Sequence, residues 1–174
     1  RLMVFDIDQE NLSVRVGNRL VALERDAELF CLGPLPVARI RYNLDKFPTI
    51  RDRLPSLEAI APIGVVHAAK QQRPIGNLAF QWQFPRIQSQ VQSALWRLAG
   101  RAQRGDQSLI VDPSRGLKVI QVGSNCGGTN AGMFIDLGFL VRHELAALGQ
   151  LGDASTVIGI GVLPGAFRGV SGPN

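Results

Sequence analysis

The sequence predicts an α/β fold with a mainly parallel sheet. Two continuous apolar runs, residues 117–122 and 156–164, have the length of strands that are covered on both faces. Between them, residues 133–148 carry apolar side chains at intervals of three and four, which is typical of a helix. A buried strand, a helix and a second buried strand predict a right-handed parallel crossover. Ligands of such sheets bind at the carboxyl ends of the strands, where we expect residues 123–132.

The composition is that of a single folded domain that spans residues 1–174. Hydrophobic residues make up 45% of the chain and charged residues 19%, which argues against disorder. No apolar run approaches the roughly 20 residues that a membrane-spanning helix needs. Cys31 and Cys126 lie far apart in sequence, without the spacing of metal ligands, so we expect a reducing, cytoplasmic setting.

The net charge is +5, and part of the excess lies in one stretch of the sequence. The basic residues of this stretch are Arg39, Arg41, Lys46, Arg51 and Arg53. Prolines and acidic residues interrupt them, and no interleaving of aromatic and basic residues suggests a base-stacking platform. We therefore favour a solvated face over a nucleic-acid site. The excess charge fits a negatively charged small ligand or an acidic partner surface equally well.

The amino-terminal part of the chain predicts two strands. Residues 2–7 form an apolar run, typical of a buried strand, that ends at Asp6 and Asp8. Residues 12–16 alternate apolar and polar side chains, as in a half-exposed strand. Carboxylates at the end of a strand can contact a ribose, a metal-bound water or a nearby helix start. They can equally cap the turn that follows, so both roles stay open for Asp6 and Asp8.

Prolines and one periodic segment organise the middle of the chain. Five prolines between residues 33 and 62 leave room only for short helical turns, for instance one with Leu54, Leu57 and Ile60 at helical spacing. From Pro85 onward, apolar residues recur on one side of an amphipathic helix of about three to four turns. Its apolar positions are Ile87, Val91, Ala94, Leu95 and Leu98.

A glycine-rich turn, residues 123–132, leads from the strand at 117–122 into the helix that follows. Its residues are Gly123, Ser124, Asn125, Cys126, Gly127, Gly128, Thr129, Asn130, Ala131 and Gly132. The first four N–H groups of a helix lack partners within it, and the macrodipole places about half a positive charge there. Glycines allow the close approach of a ligand, so the turn suits phosphate or another anion. The same glycines can instead mark only tight packing of the helix on the sheet.

Two phosphate-binding motifs do not fit this turn. No lysine stands where a Walker A loop needs its Lys-Ser/Thr pair, so a P-loop is excluded. The glycine spacing also differs from the G-x-G-x-x-G pattern of dinucleotide-binding folds. The local pattern therefore indicates an anion without indicating which one.

The segment from Cys126 to Gly132 resembles the Gly-Gly-Gly-Thr-Gly-Ser/Thr-Gly loop of the tubulin/FtsZ superfamily. Other segments stand in the order of that family. Residues 4–8 resemble its early strand with an Asp-Thr-Asp type of ending, and residues 157–167 resemble its strand that ends in a proline–phenylalanine turn. Residues 133–137, together with 73–76, are most similar to the bacterial tubulin-like branch.

This resemblance implies a three-layer Rossmann-like sandwich of the tubulin nucleotide-binding type, of which the chain would be an internal fragment. It also implies that backbone N–H groups and a threonine hydroxyl hold GTP, with magnesium bound through the nucleotide. By resemblance, the phosphate contacts would come from Gly127, Gly128, Thr129 and Gly132. The wider expected site is the whole turn together with Asp8, at the end of the early strand.

Three residues of the turn depart from the family pattern. Cys126 and Asn130 replace glycines, and Ala131 replaces a hydroxyl residue. Asparagine tolerates the left-handed region better than most residues, so the turn can survive its change. In this superfamily the catalytic acid comes from a late loop and acts on the nucleotide of the neighbouring subunit. We identify no such loop in this sequence, so we assign no catalytic residue and leave GTP hydrolysis open.

Two functions of different classes follow from the sequence. The first is GTP binding, with or without hydrolysis, by a cytoplasmic protein that associates with itself into polymers. The second is a structural or interaction module that keeps the tubulin-like fold and binds no nucleotide. Neither function includes a membrane span or a nucleic-acid partner.

Overall fold

The computed structural model describes residues 2–8, 13–53, 67, 69, 71–103, 116–163 and 165. The chain divides into two compact units. Unit 1 comprises residues 1–83 and 127–133, and unit 2 comprises residues 84–126 and 134–174. The helix that follows the glycine-rich turn therefore begins in unit 1 and continues in unit 2.

Unit 1 begins with two parallel strands. β1 (Val4–Asp6) lies beside β4 (Leu29–Cys31), and Phe5 stands opposite Phe30 in the register. The rings of these two residues stack with 5.4 Å between their centroids. A strand within residues 2–7 is thus confirmed, with a parallel partner as an α/β fold requires, but its three residues are half-buried and not buried as predicted.

An antiparallel hairpin lies in the connection between these two strands. It consists of β2 (Ser13–Val16) and β3 (Arg19–Ala22), and its turn includes Gly17 with φ +61°. Glycine adopts this conformation without the steric cost that other residues have. The strand predicted at residues 12–16 is confirmed, whereas β3 belongs to a mixed apolar and acidic stretch that has no clear period.

Short helical turns follow, as the spacing of the prolines predicts. They are α1 (Val37–Arg41), a 3-10 turn (Leu44–Lys46) and α2 (Pro48–Arg53). Their buried residues are Val37, Ile40 and Ile50. The turn predicted around residues 54–60 lies outside the described residues.

α3 (Arg73–Trp82) is a ten-residue helix that the sequence pattern does not single out. Pro74 stands in its first turn, where a missing N–H costs nothing because that group has no helical partner. One side of α3 is buried, at Ile75, Gly76, Leu78, Ala79 and Phe80. Trp82 meets Phe47 edge to face, with 5.3 Å between the ring centroids.

α3 packs closely against the first turns of α5 (Gly128–Ala146) through glycines on both helices. A Cβ at Gly76 would overlap the carbonyl oxygen of Gly128, and a Cβ at Gly132 would overlap the backbone of α3. Asn77 adds a hydrogen bond from Nδ2 to the carbonyl oxygen of Gly132 at 3.1 Å. Because the two backbones leave no space for a side chain, glycine is required at these positions.

Unit 2 contains a strand–helix–strand crossover. β5 (Lys118–Ser124) and β6 (Thr156–Val162) pair in parallel along their whole length. α5 and the short α6 (Gln150–Asp153) connect them, and the predicted amphipathic helix is α4 (Phe84–Gln103). The prediction of an α/β fold with parallel strands is confirmed. In the part of the chain that the structure describes, no helix combines the length and apolar character needed to cross a membrane.

A polar cluster around the buried residue Glu144 joins α4 to α5. The Glu144 carboxylate is only 3% exposed and accepts hydrogen bonds from Gln88 Nε2 at 2.8 Å and from Gln92 Nε2 at 3.1 Å. A buried carboxylate without donors would be strongly destabilising, so these two amides allow Glu144 to lie in the core. The apolar core around the two helices includes Ile87, Val91, Ala94, Leu95, Leu140, Val141 and Leu145.

One prediction about β5 and β6 is wrong. The apolar runs predict strands that are covered on both faces, whereas one face of this sheet exposes its apolar side chains by 42–62%. These side chains are Ile120, Val122, Ile158 and Ile160. α5 lies on the opposite face, where Gln121 Nε2 donates to the Phe134 carbonyl oxygen at 2.7 Å. An apolar run shows that a strand is hydrophobic, but it does not show how many helical layers cover the sheet.

Replacing Gly76 by alanine tests the close approach of α3 and α5. We expect Gly76→Ala to lower the free energy of unfolding by about 1–3 kcal/mol, because the new Cβ overlaps backbone atoms. Gly100 in α4 is the matched control, because no atom lies within 4 Å of its Cβ position. Gly100→Ala should raise the free energy of unfolding by about 0.4–1 kcal/mol. Urea unfolding measures both changes, and equal effects would contradict the packing role of Gly76.

Candidate anion-binding site

Asp6, the last residue of β1, is the centre of a hydrogen-bond network in unit 1. Its half-buried carboxylate accepts hydrogen bonds at Oδ1 from the Ile7 N–H at 2.7 Å and from the Thr129 hydroxyl at 2.9 Å. The Asp8 N–H lies 3.5 Å from the same oxygen. Asp6 therefore caps the turn after β1 and also contacts the start of α5. The sequence leaves two roles open for this carboxylate, a contact with a helix start and a cap on the following turn, and Asp6 has both.

The bond to Asp6 restricts what the Thr129 side chain can do. A hydroxyl has one proton to donate, and Thr129 donates it to the Asp6 carboxylate. The Thr129 oxygen can still accept a hydrogen bond or approach a cation. It cannot donate to a phosphate while the bond to Asp6 is intact, which differs from the role that the resemblance implies for this hydroxyl.

The first backbone N–H groups of α5 have no partner within the helix. Helical bonding begins where the Ala131 N–H donates to the Gly127 carbonyl oxygen at 3.1 Å. Ahead of it, the N–H groups of Gly127, Gly128 and Thr129 have no backbone acceptor among the described residues. Together with the macrodipole of a 19-residue helix, these groups form a positive end that is suited to an anion.

The glycines of this turn also have a packing role. A Cβ at Gly128 would lie 2.6 Å from the Gln72 backbone nitrogen and 2.7 Å from the Ala69 Cβ. Gly132 lies equally close to α3. The alternative interpretation of the glycines as packing residues thus agrees with unit 1, except that their partner is a helix and not a sheet. Packing involves their Cα atoms, whereas an anion would contact their N–H groups, so one role does not exclude the other.

The preceding residues of the turn belong to unit 2. Gly123 and Ser124 end β5, where they pair with β6. The Asn125 N–H donates to the Val162 carbonyl oxygen at 2.9 Å, and the Cys126 N–H donates to Ser124 Oγ at 3.2 Å. These two N–H groups are already used within the unit, in contrast to those at the start of α5.

The residues of the predicted site are divided between the two units. Residues 127–132 lie in unit 1, with half-buried Asn130 and Ala131 in the first turn of α5, whereas residues 123–126 lie in unit 2. The carboxylate oxygen that contacts the start of α5 belongs to Asp6, and the expected part of Asp8 in the site stays a prediction. The signal for Asp6 is its position as the last residue of β1, because ligands and helix starts meet a parallel sheet at the carboxyl ends of its strands.

The family of this chain follows from a comparison with known proteins. The model of the tubulin-like family matches residues 38–174, which are 137 of the 174 residues. The chain belongs to the tubulin-like family. Among curated proteins and among solved structures, no match is found.

The match to the tubulin-like family includes the whole turn 123–132 and α5, and it begins after Asp6 and Asp8. Within the described residues, no cluster of three or more His, Cys, Asp or Glu side chains has the arrangement of a metal site. The candidate site of this tubulin-like chain thus consists of backbone N–H groups beside one carboxylate.

Substitutions at Thr129 test its bond to Asp6. Thr129→Val removes the hydroxyl with little change in shape and takes one donor from a half-buried carboxylate. We expect the free energy of unfolding to fall by about 1.5–3 kcal/mol. Thr129→Ser keeps the hydroxyl and should cost clearly less. A double-mutant cycle of Thr129→Val with Asp6→Ala, measured by urea unfolding, isolates the pair, and a coupling energy near zero would show that the bond contributes nothing.

Proposed function

We propose that the protein binds a guanine nucleotide whose phosphates lie at the start of α5. The observation that carries the proposal is the set of N–H groups at Gly127, Gly128 and Thr129 that have no backbone acceptor in the described part of the chain. Backbone donors at a helix N-terminus are a common site for phosphate. Membership of the tubulin-like family and the resemblance of the turn to the GTP-binding loop of the superfamily support GTP as the nucleotide.

The residues at the start of α5 fit the phosphate part of such a ligand. The N–H groups supply donors, while the Thr129 hydroxyl adds none as long as it is bonded to Asp6. The Asp6 carboxylate would repel a bare phosphate, since both carry negative charge. Magnesium bound through the nucleotide would offset this repulsion. Asp6, Asp8 and the Thr129 oxygen are the oxygen ligands that could hold the ion or its waters.

Self-association into polymers is the second part of the proposal, and family membership supports it. We place the chain in the bacterial tubulin-like branch on the similarity of residues 73–76 and 133–137. In this proposal, residues 1–174 form part of a larger cytoplasmic GTP-binding domain. Hydrolysis would then depend on an acidic residue of the neighbouring subunit, so it would occur only in the polymer.

A module that binds no nucleotide is the second candidate, and the contacts of the glycines favour it. Packing against Ala69 and Gln72 is by itself a sufficient reason for glycine at position 128, and packing against α3 is one for glycine at position 132. The bond to Asp6 is likewise a sufficient reason for the hydroxyl of Thr129. A chain that keeps these residues for packing alone would retain the fold without a ligand.

A negative charge in the first turn of α5 tests the proposed nucleotide site. Asn130→Asp replaces an amide by a carboxylate of the same size beside the N–H groups of this turn. Because the new negative charge repels the phosphates, we expect the Kd for GTP to rise at least about tenfold. The same charge interacts favourably with the helix dipole, so the free energy of unfolding should stay unchanged or rise by about 0.3–1 kcal/mol. Calorimetric titration with magnesium and GTP measures the first effect, and urea unfolding measures the second.

Gln90→Glu is the matched control for this experiment, because it makes the same change of charge on α4. The Kd of the Gln90→Glu variant for GTP should stay within about twofold of the value for the unchanged protein. Gly128→Val is unsuitable as a test, since its side chain would overlap Gln72 and disturb the fold together with the site. If the unchanged protein shows no saturable GTP binding, the nucleotide proposal fails and the second candidate stands.

A further inference from the structure

The segment of residues 37–53 forms a firmly anchored part of the surface of unit 1. α1, the 3-10 turn and α2 follow one another there. Their buried anchors are Val37, Ile40 and Ile50. Phe47, between the turn and α2, is held by its edge-to-face contact with Trp82. These apolar contacts fix the backbone, while the charged side chains of the segment are exposed or half-exposed.

The charged side chains of this segment are mostly basic. We call Arg39, Arg41, Lys46, Arg51 and Arg53 the basic surface; all are exposed except Arg41, which is half-exposed. The segment also contains two acidic residues, so five basic and two acidic residues give it a net charge of +3, more than half of the +5 of the chain. Arg51 pairs with its neighbour Asp52 at 2.9 Å, on open surface. Arg39, Arg41 and Lys46 form no ion pair with a described residue.

Tyr42 stands among these charges and is 85% exposed. It directly follows α1 with helical dihedrals of φ −75° and ψ −6°. Positions three residues apart on a helix are neighbours, so Tyr42 lies beside Arg39. A ring held in water contributes little to folding. The centres of protein interfaces are enriched in tyrosine and arginine.

We propose that the basic surface and Tyr42 together bind an acidic segment of a partner polypeptide. Guanidinium groups form paired hydrogen bonds with carboxylates, and the basic surface carries four of them. The Tyr42 ring supplies an apolar face for the aliphatic parts of the same partner side chains. A nucleic acid is less favoured, because Asp45 and Asp52 interrupt the positive charge and a single ring does not form a stacking platform. This proposal is independent of the nucleotide site.

Fluorescence anisotropy with a labelled oligoglutamate peptide tests this surface on the purified protein. Reversing two charges with Arg39→Glu and Lys46→Glu should raise the Kd for the peptide at least about tenfold. Tyr42→Ala should raise it at least about threefold, whereas Tyr42→Phe keeps the ring and should stay within about twofold. The matched control reverses two exposed arginines of unit 2, with Arg97→Glu and Arg142→Glu, and should also stay within about twofold.

A labelled oligothymidylate of the same charge, measured at the same ionic strength, identifies the class of partner. The proposal is supported if the protein binds the peptide more tightly than the oligonucleotide. Peptide binding should also be weakened by the Arg39→Glu and Lys46→Glu reversal but not by the control reversal. Tighter binding of the oligonucleotide overturns it in favour of a nucleic acid. Equal losses in the control variant also overturn it, because net charge alone would then account for binding. Circular dichroism spectra confirm that each variant keeps its fold before binding is compared.

Discussion

The close approach of α3 to the start of α5 is the constraint on which the rest of unit 1 depends. No side chain can stand between the two backbones, so Gly76 and Gly132 meet the opposite helix directly and Asn77 reaches the Gly132 carbonyl oxygen. Thr129 lies on the same helical turns, and its hydroxyl meets Asp6 at the end of β1. The packing on α3 and the bond to Asp6 thus both hold the first turns of α5.

This constraint explains why the glycines of the turn are difficult to interpret from sequence. At Gly128, a Cβ is excluded by the backbone of residue 72, while the N–H of the same residue has no backbone acceptor among the described residues. Close packing requires glycine here because it excludes a Cβ, whereas an anion would contact the N–H group and is helped by glycine only through closer approach. A pattern of glycines at a strand–helix turn is consequently evidence for both, and only measured ligand binding separates them.

Local patterns predicted β1, β2, α4, β5, α5 and β6 but not β3, β4 or α3, and long-range contacts were beyond them. β5, α5 and β6 follow from apolar runs and helical periodicity, which are properties of neighbouring residues. α3 escaped prediction because Pro74 and Gly76 weaken the helical pattern of a short segment. The bond between Asp6 and Thr129 joins residues 123 positions apart, so no local spacing could favour Asp6 over Asp8. The exposed face of β5 and β6 was not predicted for a related reason, since the exposure of a strand depends on what covers it and not on its own composition.

The bond between Thr129 and Asp6 also bears on the unusual residues of the turn. With the hydroxyl proton of Thr129 committed to Asp6, an anion at the start of α5 would be held by backbone N–H groups. The changes at Cys126, Asn130 and Ala131 alter side chains and leave those groups in place. The Ala131 N–H still closes the first helical turn, so the hydroxyl that the family pattern has at this position is not needed to form it. Recognition through the backbone would therefore tolerate a turn whose sequence departs from the pattern, provided that the packing of α3 on α5 keeps its path.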